Sequence, residues 1–263
     1  MRAGRTRWSS DAVVDALALS AAGAPDAAVS GMTGIPVATI RNWRRGRLPR
    51  VARLRSEGVA LCGTCEQPEH DFEQLPGDSY AQLLGLYLGD GCLARSARSY
   101  SLRITMDSRY PGVIAEAAAC VRACAPERSV KAIPVRGERC VNVTAYGRAW
   151  PCLLPQHGSG KKHLRPIVLC EWQQTIVDRA PGRFVRGLIH SDGWRGENRV
   201  RSKGRDYSYP RYQFSSRSDD IRALFTHACD LLGVAWRPWG RWHISVARRD
   251  AVALLDEHVG PKC

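Results

Sequence analysis

Two acids, Asp90 and Asp192, close related segments of the chain: Leu83-Leu84-Gly85-Leu86-Tyr87-Leu88-Gly89-Asp90-Gly91 and Val185-Arg186-Gly187-Leu188-Ile189-His190-Ser191-Asp192-Gly193. Each segment reads as an apolar helix ending in Asp-Gly, and a single copy would be an ordinary helix with a glycine at its end. A carboxylate at a helix C-terminus meets the negative end of the macrodipole, which opposes it by roughly 0.3–1 kcal/mol, so placing one there twice asks for a compensating cation. Gly85 and Gly89 are four residues apart, as are Gly187 and Ser191, which gives each helix a stripe of small residues along which two backbones can approach. Packing the stripes into a helix seam brings Asp90 and Asp192 side by side. Adjacent carboxylates repel unless a proton or metal lies between them. Magnesium, or manganese in its place, takes oxygen ligands of this kind, with the Gly89 and Ser191 carbonyls as further donors. A metal held there can activate water, orient a scissile phosphate and stabilise the leaving oxygen of a phosphodiester.

The elements that must position these acids are themselves doubled. After Asp90 come a strand at Arg103-Ile104-Thr105, an alanine-rich helix around Val113 to Ala123, a strand Val141 to Thr144, then Leu153-Leu154 and Gly158. After Asp192 come a strand at Gln213-Phe214-Ser215, a helix Asp220 to Leu232, a strand His243 to Val246, then Leu254-Leu255 and Gly260. The offsets are 192 − 90 = 102, 254 − 153 = 101 and 260 − 158 = 102, so the repeat is in register across a whole domain. Between the motif and Gln213 the offset rises to 213 − 103 = 110, an insertion of about eight residues in the first hairpin of the second half, through the basic run Arg201-Ser202-Lys203-Gly204-Arg205. Both halves read α-β-β-α-β-β-α.

The two segments and their repeat resemble the paired motifs of the LAGLIDADG homing endonucleases over roughly residues 78 to 260. The resemblance implies an α+β, pseudo-twofold αββαββα monomer in which two motif helices form the seam and two four-stranded sheets make a saddle over the DNA major groove. It further implies that Asp90 and Asp192 are catalytic, binding divalent metal and hydrolysing both strands. Leu88 and His190 occupy a motif position that is often acidic in the family, and His190 is readable as a packed core residue or as a catalytic one. Lys131, Lys161 and Lys162 are candidates for the basic residues such sites use, and the compact second half is expected to end in a short helix.

The chain's charge favours the same partner. Its 263 residues carry a net charge of +14 and a pI near 9.7, which points to DNA or RNA over a membrane or an acidic small molecule. Residues 1–55 hold ten Lys or Arg against three acids, whereas 56–80 hold six acids and no Lys or Arg, the pattern of an acidic linker between basic modules. The expected domains are 1–55, a linker at 56–78, and two halves at 79–165 and 166–263. No run is long enough to span a bilayer. Ala12 to Ala24 imitates a signal peptide, but Asp11 and Asp15 count against it, so the expected location is the cytoplasm, at the nucleoid when DNA is bound. The ten cysteines do not form a dense disulfide framework.

In the N-terminal module, helices from Asp11, from Asp26 to Met32 and from Val37 to Arg45, the last two joined by Gly34-Ile35-Pro36, resemble a small all-α helix-turn-helix domain. Thr39, Arg41, Asn42, Arg44 and Arg45 would then face DNA, with Arg47, Arg50, Arg53 and Arg55 on phosphates. Cys62-Gly63-Thr64-Cys65 followed by His70 starts a zinc-knuckle spacing whose fourth ligand is not evident. On the saddle, strand alternation offers Arg95, Arg98, Arg103, Lys131, Arg136, Arg139, Arg199, Arg201, Lys203, Arg205, Arg211, Gln213, Arg237 and Arg241 to double-stranded DNA, about half of them in contact. Trp236, Trp239 and Trp242 read as packing and hairpin stabilisers. The expected function is a magnesium-dependent, sequence-specific endonuclease. The alternative is a non-cleaving transcriptional regulator of the same descent, against which both retained acids weigh. RNA maturation is a further possibility, and an intein lacks a His-Asn junction.

Overall fold

The computed structural model describes residues 8–97, 99–202 and 204–263; Arg98 and Lys203, two of the expected DNA contacts, lie outside the described residues. The chain divides into two compact units, 1–70 and 71–263.

Among its described residues the first unit holds four helices, α1 (Ser10–Ala21), α2 (Asp26–Thr33), α3 (Val37–Arg44) and α4 (Arg50–Ser56). Ser9 caps α1 by accepting a hydrogen bond from the Ala12 amide at 3.1 Å, and Gly34 ends α2 in the left-handed conformation that glycine adopts without penalty. Their apolar faces meet in a core of Val13, Ala16, Val29, Ile35, Ile40, Trp43 and Ala52. Within the stretch expected to be a linker, residues 61–68 form a tight hairpin with one bridge between Leu61 and Pro68.

The second unit contains the repeat. Its first half runs α5 (Gly77–Asp90), β1 (Gly91–Arg95), β2 (Tyr100–Asp107), α6 (Pro111–Cys124), β3 (Val130–Pro134), β4 (Cys140–Gly147) and α7 (Trp150–Leu153). An additional helix, α8 (Glu171–Arg179), leads into the second half: α9 (Pro181–Asp192), β5 (Gly193–Ser202), β6 (Arg205–Ser215), α10 (Asp219–Leu231), β7 (Arg237–Trp239), β8 (His243–Val246) and α11 (Arg249–Val259). The strands make two antiparallel sheets of the same order, β1-β2-β4-β3 and β5-β6-β8-β7. This is the expected αββαββα repeat. Gly91 pairs with Ile104 and Gly193 with Phe214, so the offset between partners, 214 − 104 = 110, exceeds that between the glycines, 193 − 91 = 102, by the eight inserted residues. The insertion lengthens β5 and β6 into an arm. The closing helix of the second half is longer than expected: α11 has 11 residues along an uninterrupted apolar stripe of Ala251, Val252, Leu255 and Val259, whereas Pro155, directly after Leu154, stops α7 at four.

Alternation assigns the faces of the sheets. Leu102, Ile104, Met106, Val143 and Ala145 of the first sheet, and Tyr212, Phe214, Ile244 and Val246 of the second, are buried beneath the helices. Their strand neighbours form the open faces. Between the sheets α5 and α9 cross through their small residues. A Cβ added to Gly85 would sit 2.4 Å from the Phe184 carbonyl oxygen, and one on Gly187 would sit 2.3 Å from that of Gln82. Both contacts are with backbone, which cannot yield.

Candidate functional site

The seam carries Asp90 and Asp192 to one end of the helix pair, where each acid immediately precedes the first strand of its sheet. A Cβ on Gly89 would meet the Ser191 side chain and lie 3.3 Å from Asp192 Oδ2, so the last turn of each helix touches the other. The four seam residues expected from sequence, Gly85, Gly89, Gly187 and Ser191, all lie at this contact.

Two lysines complete the arrangement. Lys162, on a short 3₁₀ turn, donates to the carbonyls of Tyr87 and Gly89 at 2.6 and 2.8 Å. Lys262, near the chain's C-terminus, donates to those of Ser191 and Gly193 at 3.4 and 3.3 Å. The lysines answer the orphan carbonyls and negative pole of each helix end. Burial pushes the Asp90 carboxyl up to about 6, the charge of Asp192 adds to the rise, and both lysines oppose it. Asp192 is raised by burial against the same two lysines. Burial brings Lys162 down to about 8 despite both acids, and lowers Lys262. The acids keep a solvent-facing edge at the helix ends, so these shifts describe groups lodged in protein on one side and wet on the other.

The halves exchange parts in the two cavities flanking the seam. One, of about 500 Å³, is lined by Asp192 together with Gly89, Lys161 and Lys162 of the first half. The other, of about 230 Å³, is lined by Asp90 together with Ser191 and Lys262 of the second. Each cavity thus joins the acid of one motif to the penultimate residue of the other motif and a lysine of that same other half. A carbonyl has two lone pairs, so the lysine bonds leave the Gly89 and Ser191 oxygens able to face a cation as well. A set of carboxylate and carbonyl oxygens suits magnesium or manganese and poorly suits a thiophilic metal.

Of the sequence candidates, Lys162 and Lys161 line a cavity, whereas Lys131 stands on the open face of β3. Lys262 escaped the sequence reading, although the repeat points to it: it lies two residues after Gly260, as Lys161 and Lys162 lie three and four after Gly158. His190 is buried, with neither ring nitrogen hydrogen bonded among the described residues; burial and nearby Arg186 hold it down to about 4, so it is neutral. Glu116, 3.6 Å from His190 Nδ1, is instead engaged by Arg186 and Gln82. His190 thus sits on the buried side of the seam and, with Asp90, Ser191 and Lys262, lines the smaller cavity as a neutral imidazole.

The open faces sort the basic residues. Arg103 and Lys131 project from the first sheet beside Thr105, Asn142 and Thr144. Arg205, Arg211, Gln213 and Arg237 project from the second. Arg95 pairs with Tyr100, Arg199 with Ser208 and Arg201 with Asp206, which puts all three on the opposite faces of their strands. These three were among the residues expected toward DNA, and the register of the core residues Leu102, Tyr212 and Phe214 sets them on the other face. Arg136 and Arg139 lie in the β3–β4 turn and Arg241 in the β7–β8 turn.

The tryptophans part company. Trp236 donates to Asp230 at 2.7 Å and packs against the core, as expected. Trp194, Trp239 and Trp242 are 48, 49 and 38% exposed. Trp194 lies over bare Gly196, where any Cβ would meet its ring, while Arg211 stacks 4.5 Å above Trp239 and Arg217 5.0 Å above Trp242. In the first unit Arg41, Asn42, Arg45 and Arg47 are exposed along and after α3, Thr39 is half-buried, and Arg44 pairs with Asp26 at 2.8 Å.

Two αββαββα halves joined through glycine-lined helices, each ending in an acid at the head of a four-stranded antiparallel sheet, make a LAGLIDADG-like fold. Solved structures similar to it are mostly homing endonucleases. They include I-DmoI in complex with DNA and Mn (15% identity over 71% of this chain and 99% of that one, TM-score 0.46) and the LAGLIDADG meganuclease I-AabMI bound to uncleaved DNA (10%, 68% and 83%, 0.44). Full-length DUF199/WhiA from Thermatoga maritima is also similar (12% identity, 74% of this chain, TM-score 0.45), and the match spans 57% of its length. No protein-family model and no curated protein matches the chain.

Proposed function

We propose that the second unit is a divalent-metal-dependent, site-specific endonuclease that hydrolyses phosphodiester bonds of double-stranded DNA as a monomer with internal pseudo-twofold symmetry. The pair of composite cavities carries the proposal. A machine that cuts two antiparallel strands needs two like sites related by a twofold axis, and the crossed sets Asp90, Ser191, Lys262 and Asp192, Gly89, Lys162 are such a pair. In each, magnesium or manganese would be held by the carboxylate with the carbonyl of the opposite motif as neighbour. When bound, the metal supplies Lewis-acid stabilisation of the phosphate and acidifies a water. The lysines keep the helix-end carbonyls oriented and put positive charge beside the position of a scissile phosphate.

Recognition falls to the open faces. Arg103, Arg205, Arg211, Arg237 and Gln213 carry the donors that read base edges in a major groove, and Trp194 and Trp239 offer apolar surface to thymine methyls. The first unit adds contacts in the manner of a helix-turn-helix, through Asn42, Arg45 and Arg47. Incubating the full chain with a randomised duplex library and magnesium or manganese, beside Asp90→Asn and Asp192→Asn, tests the reading. Cleavage by the parent and its loss in the double variant is the expected result. Sequence-specific binding by all proteins with no cut in any would instead make the chain a DNA-binding regulator.

A further inference from the structure

The acid-rich hairpin after α4 is unlike the rest of this basic protein. Its residues 57–71 contain Glu57, Glu66, Glu69 and Asp71 and no Lys or Arg. The hairpin is closed by the Cys62 amide donating to the Gln67 carbonyl at 2.8 Å, by the Glu66 amide donating to the Cys62 carbonyl at 2.9 Å and by the Glu69 amide donating to Ala60 at 3.0 Å. Glu66 has a φ of +53°, and among the described residues no other non-glycine enters the left-handed region. Such a residue persists where its surroundings over-determine it. Cys65 is 4% exposed, so its thiol is held inside the turn.

The turn gathers soft ligands. The sulfurs of Cys62 and Cys65 and a ring nitrogen of His70 lie within 4.8 Å of one another, and Cys65 Sγ is 3.2 Å from His70 Nε2. Zinc bonds of about 2.3 Å to sulfur and 2.0–2.1 Å to nitrogen, set at the tetrahedral angle, place S and N about 3.5 Å apart. The Cys65–His70 spacing is within tenths of an ångström of that value, and the other donor pairs, none more than 4.8 Å apart, need close by at most about an ångström to share one ion. We propose that Cys62, Cys65 and His70 bind a structural zinc ion, separate from the oxygen-lined cavities of the second unit. Binding converts both thiols to thiolates with release of two protons and takes His70 as neutral imidazole through Nε2. Nothing is oxidised or reduced. The carboxylates around the hairpin attract the cation and turn the loop away from a polyanion, so the zinc acts as a clasp for the backbone after α4 and makes no nucleic-acid contact.

The test uses the full chain, which retains any donor to the fourth position. Protein purified without chelator should carry one zinc per chain by elemental analysis, and cobalt exchanged into it should give the strong visible bands and thiolate charge-transfer absorption of a tetrahedral site. Cys62→Ser, Cys65→Ser and His70→Asn should each lower zinc content at least tenfold, while His70→Cys retains it and controls for misfolding. Asp90→Asn with Asp192→Asn should keep full zinc, which separates this site from the proposed nuclease chemistry. A zinc-free parent whose cobalt spectrum is octahedral, or unchanged zinc in Cys62→Ser and His70→Asn, would overturn the proposal and leave a Cys–His hydrogen bond in an acidic turn.

Discussion

The two sheets of the second unit share one strand order and one buried face, and differ on the faces they leave open. Beneath the helices, Leu102 and Ile104 answer Tyr212 and Phe214, and Val143 and Ala145 answer Ile244 and Val246. On the open side the first sheet is mostly small and polar, with Arg103 and Lys131. The second bears Arg205, Arg211, Arg237 and three partly exposed tryptophans, Trp194 on β5 and Trp239 and Trp242 on β7 and its turn, and its β5–β6 hairpin is eight residues longer. Burial under helices demands apolar side chains whatever their size, so the buried faces stay alike in kind; an open face answers only to what docks on it. The lysines differ in the same sense. Lys162 is held tightly by a 3₁₀ turn, and Lys262 more loosely by a tail tied down where the Val113 amide donates to the Cys263 carbonyl at 3.1 Å.

The largest effects should fall where the halves are most alike. Gly85→Val and Gly187→Val each drive a side chain into facing backbone, and each should cost roughly 3 kcal/mol or more. Matching losses in chemical denaturation would support a symmetric seam, and tolerance of either would break it. At the sites, Asp90→Asn and Asp192→Asn should each lower double-strand cleavage on the order of a hundredfold or more while leaving nicking of one strand. Plasmid relaxation without linearisation reads this directly. If one variant still linearises plasmid as the parent does, the composite sites are not equivalent.

A third difference should appear on titration without metal. The Asp90 carboxyl is raised from its ordinary value to about 6, so the stability it contributes is fully present below about pH 4 and is lost as pH rises through about 6. Lys162 is depressed to about 8, so its contribution is present above its ordinary value and is lost as pH falls through about 8. At neutral pH both groups are charged at a cost, which metal binding to the acids should relieve. Asp90→Asn should therefore raise the neutral-pH midpoint of metal-free protein by the equivalent of roughly 1 kcal/mol, after allowance for the exposed carboxylate edge. Manganese should raise the parent's midpoint and leave that of the double Asn variant unmoved. No difference between parent and Asp90→Asn across pH 5–7 would remove the repulsion ascribed to the pair.

The smallest effects should separate the open faces. Arg211→Ala is expected to weaken binding to a selected duplex by about 1 kcal/mol and Arg103→Ala by less, with binding of both steeply salt-dependent. Equal losses in fluorescence titrations would show that the second sheet's richer surface does not dominate recognition.

The repeat offsets carried much of this in advance. Asp90, Asp192 and the seam glycines were legible because close helix approach demands small residues at fixed spacing, and the eight-residue insertion emerged from one change of offset. Strand faces were less legible. Arg95, Arg199 and Arg201 lie one residue out of phase with the open faces, since period-two alternation gives the faces and leaves open which is which until a core residue anchors it. The length of α11 was not legible, because a count of the residues after Gly193 does not reveal how far an apolar stripe carries the last helix.

By itself, the sequence determined the doubled topology, the seam and the two acids, since each rests on local spacing that the backbone converts directly into geometry. The tertiary structure alone decided that each acid shares a cavity with a carbonyl and a lysine of the other half, that Lys262 lines the Asp90 cavity, and that His190 lines it too as a buried neutral imidazole. Those are relations between residues about seventy to a hundred positions apart, fixed when α5 and α9 cross and not by any periodicity along either helix.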